Sequence, residues 1–136
     1  MDFSYPSILF LVAWVSLDCR IAYGGDIYVI ARPDVKVSSD DIREIYLGDK
    51  QFSGDVRLVP VDNQAVLPEF VKKALAMSPQ RYNTLWVKKG FRDGLDPPVV
   101  KATDFEVVEF VKRMHGAVGY VSSVPHDNSV LVIGKF

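Results

Sequence analysis

Apolar residues along this chain fall into two kinds of run. Short, nearly unbroken runs at Ile27–Ala31, Arg57–Val61, Ala117–Val121 and Val130–Ile133 have strand length and suit burial on both faces. Between them, apolar residues recur at helical spacing. Ile42, Ile45 and Tyr46 form one face of a helix opened by Ser38 with Asp41 in a capping-box arrangement and ended by Gly48. Leu67, Phe70, Val71, Ala74 and Leu75 make a single apolar stripe. Pro68 fits only the first turn, which places that helix's start, with Asp62 or Asn63 expected as its cap. Ser78-Pro79 opens another helix, with Tyr82, Leu85 and Trp86 inward and Gly90 at its end. Thr103 with Glu106 caps a helix carrying Val107, Val108, Val111 and Met114, ended by Gly116. Phe52–Asp55 reads as a turn, and Asp96-Pro97-Pro98 as extended chain. Strands alternating with helices predict an α/β sandwich with a largely parallel sheet.

The start of the chain reads differently. Ile8–Val15 is continuously apolar but too short to span a bilayer, and Ala22-Tyr23-Gly24 offers the small residues of a cleavage site. Residues 1–24 are therefore expected to be a secretory signal peptide and residues 25–136 the folded domain. Against this stands an n-region with Asp2 and no Lys or Arg; the alternative is a buried first element. The single cysteine, Cys19, falls inside the leader. A lipoprotein anchored at Cys19 is the other reading, disfavoured by Asp18 directly before it. A chain beginning at Gly25 has no thiol for disulfide, metal or nucleophilic chemistry.

Charge narrows the function classes. The 136 residues hold 16 basic and 17 acidic side chains. Loss of Asp2, Asp18 and Arg20 with the leader would leave the two signs balanced. A balanced domain shows no electrostatic footprint for nucleic acid and no basic amphipathic face for anionic lipid. No apolar run is long enough for the mature chain to span a membrane. No nucleophile elbow, zinc-binding His-Glu-x-x-His or P-loop occurs, the two histidines are far apart near chain turns, and no carboxylate pair is placed in one cleft by spacing. No catalytic residue, metal ligand or cofactor is assigned, and the protein is read as a non-enzyme.

Candidate chemistry then comes from architecture. In open α/β sheets, ligands sit beyond the carboxyl ends of strands against helix N-termini. The turns after Ala31, Val61 and Val121 qualify. The middle one is best, because Asn63–Val66 leads directly into a well-formed helix whose free amides and dipole favour an anion. Candidate ligand residues are Arg32, Asp62, Asn63, Gln64 and Ala65, with Arg32 reaching toward the strand ends. Asp62 and Asn63 also serve as helix caps in this reading. Tyr120 reads as core, and His115 suits a helix C-terminus. Trp86 reads as core or as a partner anchor. Phe91, set among Lys88, Lys89 and Arg92, is a candidate interface residue.

An ordered set of segments resembles a known family. Asp41–Gly48, a turn around Phe52, Leu58-Val59-Pro60-Val61 and Gly116–Val121 resemble the phosphate-binding component of bacterial phosphate ABC transporters. The chain is more similar to short, single-lobe members of that type 2 periplasmic-binding-protein-like superfamily, where Leu75–Pro79 and the Trp86 helix recur. The resemblance covers nearly all of residues 25–136. It implies a three-layer α/β/α lobe, a periplasmic location, and a role in binding phosphate or a similar oxyanion for transport or sensing.

Departures from the family pattern qualify that role. Two-lobed relatives carry a Ser-Gly-Thr loop where this chain has Gln64-Ala65-Val66. Their preceding Arg is replaced near Pro60 and Val61. Loss of two such bonds, at roughly 1–3 kcal/mol each, weakens binding by about two to four decades. The alternative reading is a non-catalytic envelope module that kept the fold, lost the ligand, and docks on an envelope protein or a second copy of itself.

Overall fold

A computed structural model describes residues 25–136. The expected signal peptide and Cys19 lie outside the described residues. Strand β1 (Tyr28–Ala31) leads through a 3-10 turn at Ser39–Asp41 into α1 (Ile42–Tyr46). A hairpin of β2 (Phe52–Ser53) and β3 (Val56–Arg57) precedes β4 (Val59–Asn63). Then follow α2 (Leu67–Leu75), α3 (Pro79–Asp93), β5 (Val99–Lys101), α4 (Asp104–Arg113), β6 (Ala117–Val121) and β7 (Leu131–Lys135).

The main sheet has five strands in the order β5-β4-β6-β1-β7. Strand β4 runs parallel to β5 and β6, whereas β1 is antiparallel to β6 and β7. Four strands thus share one direction and β1 alone opposes them, so the sheet is largely parallel, as the sequence predicts. Strand β1 is held at the chain's other end too: Ile27 and Phe136 exchange two backbone hydrogen bonds of 2.9 Å each.

Three layers result. Helices α1, α2 and α3 cover one face through Ile42, Tyr46, Phe70, Val71, Leu75, Tyr82 and Trp86 against Val29, Ala31, Val118 and Tyr120. Helix α4 covers the other through Val107 and Val111 against Ile30, Val61, Ala117 and Val121. The alternation of strand side chains explains the split within β6, where Val118 and Tyr120 face one layer and Ala117 and Val121 the other.

Local signals are met in several places. Ser78 Oγ accepts from the Arg81 amide at 3.1 Å and Thr103 Oγ1 from the Glu106 amide at 3.2 Å. The Ser38 amide donates to the Asp41 carboxylate at 3.0 Å. Helix α3 departs from expectation: it runs through Gly90 to Asp93 and ends at Gly94 instead. A glycine inside a helix costs only about 1 kcal/mol, and packing of Tyr82 and Trp86 outweighs it.

Candidate functional site

The chemistry gathers at the carboxyl end of β4, and alternation decides where each residue points. Asp62 faces the α3 side and Asn63 faces the α4 side. Both lie inside the strand and are buried, so neither caps α2 as the sequence suggested. The residue before α2 is Val66, whose side chain cannot cap. The strand extends two residues beyond its apolar run because tertiary partners satisfy both polar side chains.

Asp62 is 3% exposed. Its carboxylate accepts from the hydroxyls of Tyr82, at 3.1 and 3.2 Å, and Tyr120, at 3.0 Å. Burial raises its pKa to about 6, and the two hydroxyl bonds pull the other way. The same burial, with the Asp62 charge, pushes both tyrosines far above their ordinary range. Tyr46 completes the cluster. Its hydroxyl lies 2.8 Å from the Val61 carbonyl and 2.9 Å from that of Val118, where pairing of β4 with β6 stops at Pro60–Val118. The Phe70 ring stacks on Tyr120 at 3.8 Å. This network ties α1 and α3 to the sheet and keeps the Asp62 carboxylate on internal hydroxyl partners.

Asn63 organises the crest. Its Nδ2 donates to Asp104 Oδ1 at 2.7 Å and to the Tyr120 carbonyl at 3.1 Å. Its Oδ1 accepts from the Ala65 amide at 3.1 Å, an Asx-type turn. Asp104 stands at the first position of α4, where the helix dipole favours an anion. Its Oδ2 accepts from Ser122 through the amide at 3.0 Å and the hydroxyl at 2.7 Å. Asn63 Nδ2, the Ser122 amide and the Ser122 hydroxyl therefore form a three-donor anion cradle beside the N-terminus of α4, and the chain's own carboxylate fills it. Neither Asp104 nor Ser122 is singled out by the sequence. An acid one residue after a Thr cap is a signal for Asp104; nothing local marks Ser122.

The amides expected to meet an anion are engaged as well. Gln64 N–H donates to the Lys101 carbonyl at 2.8 Å, and Val66 N–H donates to the Asn63 carbonyl at 3.1 Å. The side chains of Gln64 and Ala65 are exposed on the crest.

Arg32 belongs elsewhere. Because β1 opposes its neighbours, Ala31 pairs with Val118, which in turn pairs with Pro60 at the start of β4. Arg32 therefore emerges at the opposite end of the sheet from Asn63, where it pairs with Asp34 at 3.1 Å. The structure separates it from the other four candidates, a correction that follows from strand direction alone. His115 lies beside the same Asp34, at 3.3 Å.

Trp86 is core: it is 7% exposed and its indole donates to the Tyr46 carbonyl at 3.1 Å. Phe91, by contrast, is 89% exposed. Among the described residues no three His, Cys, Asp or Glu side chains gather to hold a metal, and no helix is long and apolar enough to cross a membrane.

This architecture is similar to that of an ABC-type phosphate transport receptor from Vibrio cholerae, with a TM-score of 0.53 at 14% identity over 80% of this chain and 46% of the receptor. It is also similar to a Clostridium perfringens protein described as a phosphate ABC transporter substrate-binding protein and solved with phosphate bound. There the TM-score is 0.51 at 17% identity, over 80% of this chain and 45% of that one. The chain shares the α/β fold of part of each of these two structures. At such identities the likeness concerns the fold, and the chain spans less than half the length of either structure. No family model and no curated protein sequence matches it. Within this fold, the crest at Asn63–Leu67 and the N-terminus of α4 occupy the strand-end position where α/β sheets hold ligands.

Proposed function

We propose that the protein is a non-enzymatic, substrate-binding-like module of the phosphate-transport type. It acts in the bacterial periplasm and meets phosphate or a similar small oxyanion for uptake or sensing. The observation that carries this reading is the three-donor cradle at the strand ends of a fold shared with two phosphate-transport proteins. Asn63 and Ser122 present the donors an oxyanion needs, and Gln64 and Ala65 border them. Asp104 competes for the same donors, so the affinity is weak, in the millimolar range.

Two measurements test this. With a dissociation constant of about 1 mM, about 10 mM phosphate adds about 1.4 kcal/mol and raises the thermal midpoint by roughly 5 °C, with sulfate and chloride as ionic controls. In Asp104→Ala the competing carboxylate is gone, and phosphate binds about tenfold more tightly by calorimetry, equivalent to about 1.4 kcal/mol. A midpoint unmoved by phosphate in both proteins rejects the oxyanion reading.

That outcome favours the second reading, a lobe that kept the fold without the ligand. Its supporting observation is the internal engagement of the Gln64, Ala65 and Val66 amides. In this reading the protein docks on an envelope partner or a second copy.

A further inference from the structure

A cavity of about 190 Å³ opens at the amino ends of β4 and β5, the opposite end of the sheet from the Asn63 crest. Buried Ile45, Leu58 and Trp86 form its wall, with Pro60 and Val99 half-buried beside them. Two backbone features shape it. Gly48 has φ +80, and a Cβ there would lie 2.8 Å from the Trp86 ring, so the glycine lets that ring lie against the end of α1. Pro97 and Pro98 fix the lead into β5 as extended chain. An apolar cavity of about 150 Å³ admits one benzene ring, so this volume suits one ring or one branched chain with a small head group.

Three charged side chains line the same cavity: Lys50, Arg57 and Asp96. Lys50 is committed to Asp41 at 3.1 Å. Arg57 and Asp96 are exposed and, among the described residues, take part in no ion pair. The Arg57 guanidinium lies 5.9 Å from the Phe52 ring, a contact that uses none of its N–H donors. One uncommitted cation and one uncommitted anion thus border a single apolar hollow. An ion of either sign alone meets one attraction and one repulsion there, whereas a molecule carrying both signs meets two attractions.

We infer that this cavity binds a small zwitterion with an apolar body, an apolar α-amino acid being the simplest. Its carboxylate takes the Arg57 guanidinium, a planar match. Its ammonium takes the Asp96 carboxylate, and its side chain fills the hollow against Leu58 and Trp86. The wall is preformed, so little ordering opposes binding. The cavity shares no lining residue with the crest, so the inference holds whether or not phosphate binds there.

Calorimetry and amide NMR with L-leucine as the probe test it. L-leucine should bind and shift the amides of Gly48, Leu58 and Val99, leaving those of Asn63 and Ser122 in place. Isocaproate lacks the ammonium and L-leucinamide lacks the carboxylate. Each should bind roughly tenfold more weakly, the loss expected for one hydrogen bond to a charged group. Glycine, without the apolar body, should cause no shift at the same concentration. Arg57→Gln and Asp96→Asn should each lose about tenfold for L-leucine. Arg57→Gln should bind L-leucinamide, and Asp96→Asn isocaproate, at least as tightly as the parent, because the repulsive charge is gone. Both side chains are exposed, so circular dichroism of the variants should match the parent. No binding of L-leucine, equal binding of L-leucine and its two analogues, or variants that bind L-leucine like the parent overturns the inference. Shifts at Asn63 and Ser122 in place of Gly48 and Leu58 also overturn it and put the ligand at the crest.

Discussion

Acidification from about pH 8 to about pH 5 is expected to raise the thermal midpoint of this protein, against the usual trend for carboxylate-rich domains. The cause is Asp62. Burial raises its folded pKa to about 6, from 3.8 in the unfolded chain. Between those values the folded protein holds a proton that the unfolded chain has released. The stabilisation is full below the unfolded value and is lost as pH rises through about 6. The difference corresponds to about 3 kcal/mol. Two groups of opposite sign bound the effect on the acid side. Asp127, held down to about 2 by the Ser129 amide and Lys112, and Asp41, lowered by the Ser38 amide, both contribute stability that disappears as they protonate. Stability should therefore peak at about pH 4–5. In Asp62→Asn the falling slope between about pH 5 and about pH 7 should vanish, since the proton taken up by Asp62 is no longer linked to folding. A parent midpoint that falls steadily from neutral pH toward pH 5 would show that Asp62 is not held in this protonation-favouring pocket.

Gly116→Ala, directly before the central strand β6, should be a strongly damaging single-methyl change. Gly116 has φ +90, and a Cβ there would sit 2.1 Å from the carbonyl oxygen of Arg57. That oxygen is backbone at the β3–β4 junction, and the Gly116 carbonyl itself accepts from the Val59 amide at 2.8 Å. Neither side can yield without breaking the pairing of β4 with β6. Strain at positive φ contributes about 1–2 kcal/mol and overpacking about 1–3 kcal/mol more, for a loss of roughly 2–5 kcal/mol. Urea unfolding reads this as a midpoint lower by about 2 M. Gly54→Ala is the control. Its φ is +62 in the β2–β3 turn, but a Cβ there meets nothing within 4 Å. It should cost only about 1 kcal/mol. Equal losses for the two would mean that backbone conformation, not the Arg57 contact, sets the cost.

Legibility tracks the range of the interactions. Ser78 and Thr103 were readable as caps because cap and amide are three residues apart. The inward residues of α2 and β6 were readable from periodicity. Strand β5 was not: its three residues follow two prolines and are made a strand by pairing with Val61–Asn63. Asp62 and Asn63 looked like caps because Asp and Asn after an apolar run usually are. Their actual partners, Tyr82, Tyr120 and Asp104, are 20 to 58 residues away in sequence. Of the five candidate ligand residues, Asn63, Gln64 and Ala65 stand together at the crest, Asp62 is buried beneath it, and Arg32 is at the far end.

By itself, then, the sequence determined most of the elements, the caps of α3 and α4 and the inward faces, all set by interactions within a few residues. It also determined the alternation of strands and helices that dictates a layered α/β fold. Only the tertiary structure decided the direction of β1, which moved Arg32 away from the crest. It alone placed the Asp104 carboxylate among the donors of Asn63 and Ser122, and buried Asp62 under two tyrosines. These outcomes depend on which distant strands pair and which faces then meet. No local pattern encodes that, because the chain's periodicity is the same for either direction of a strand.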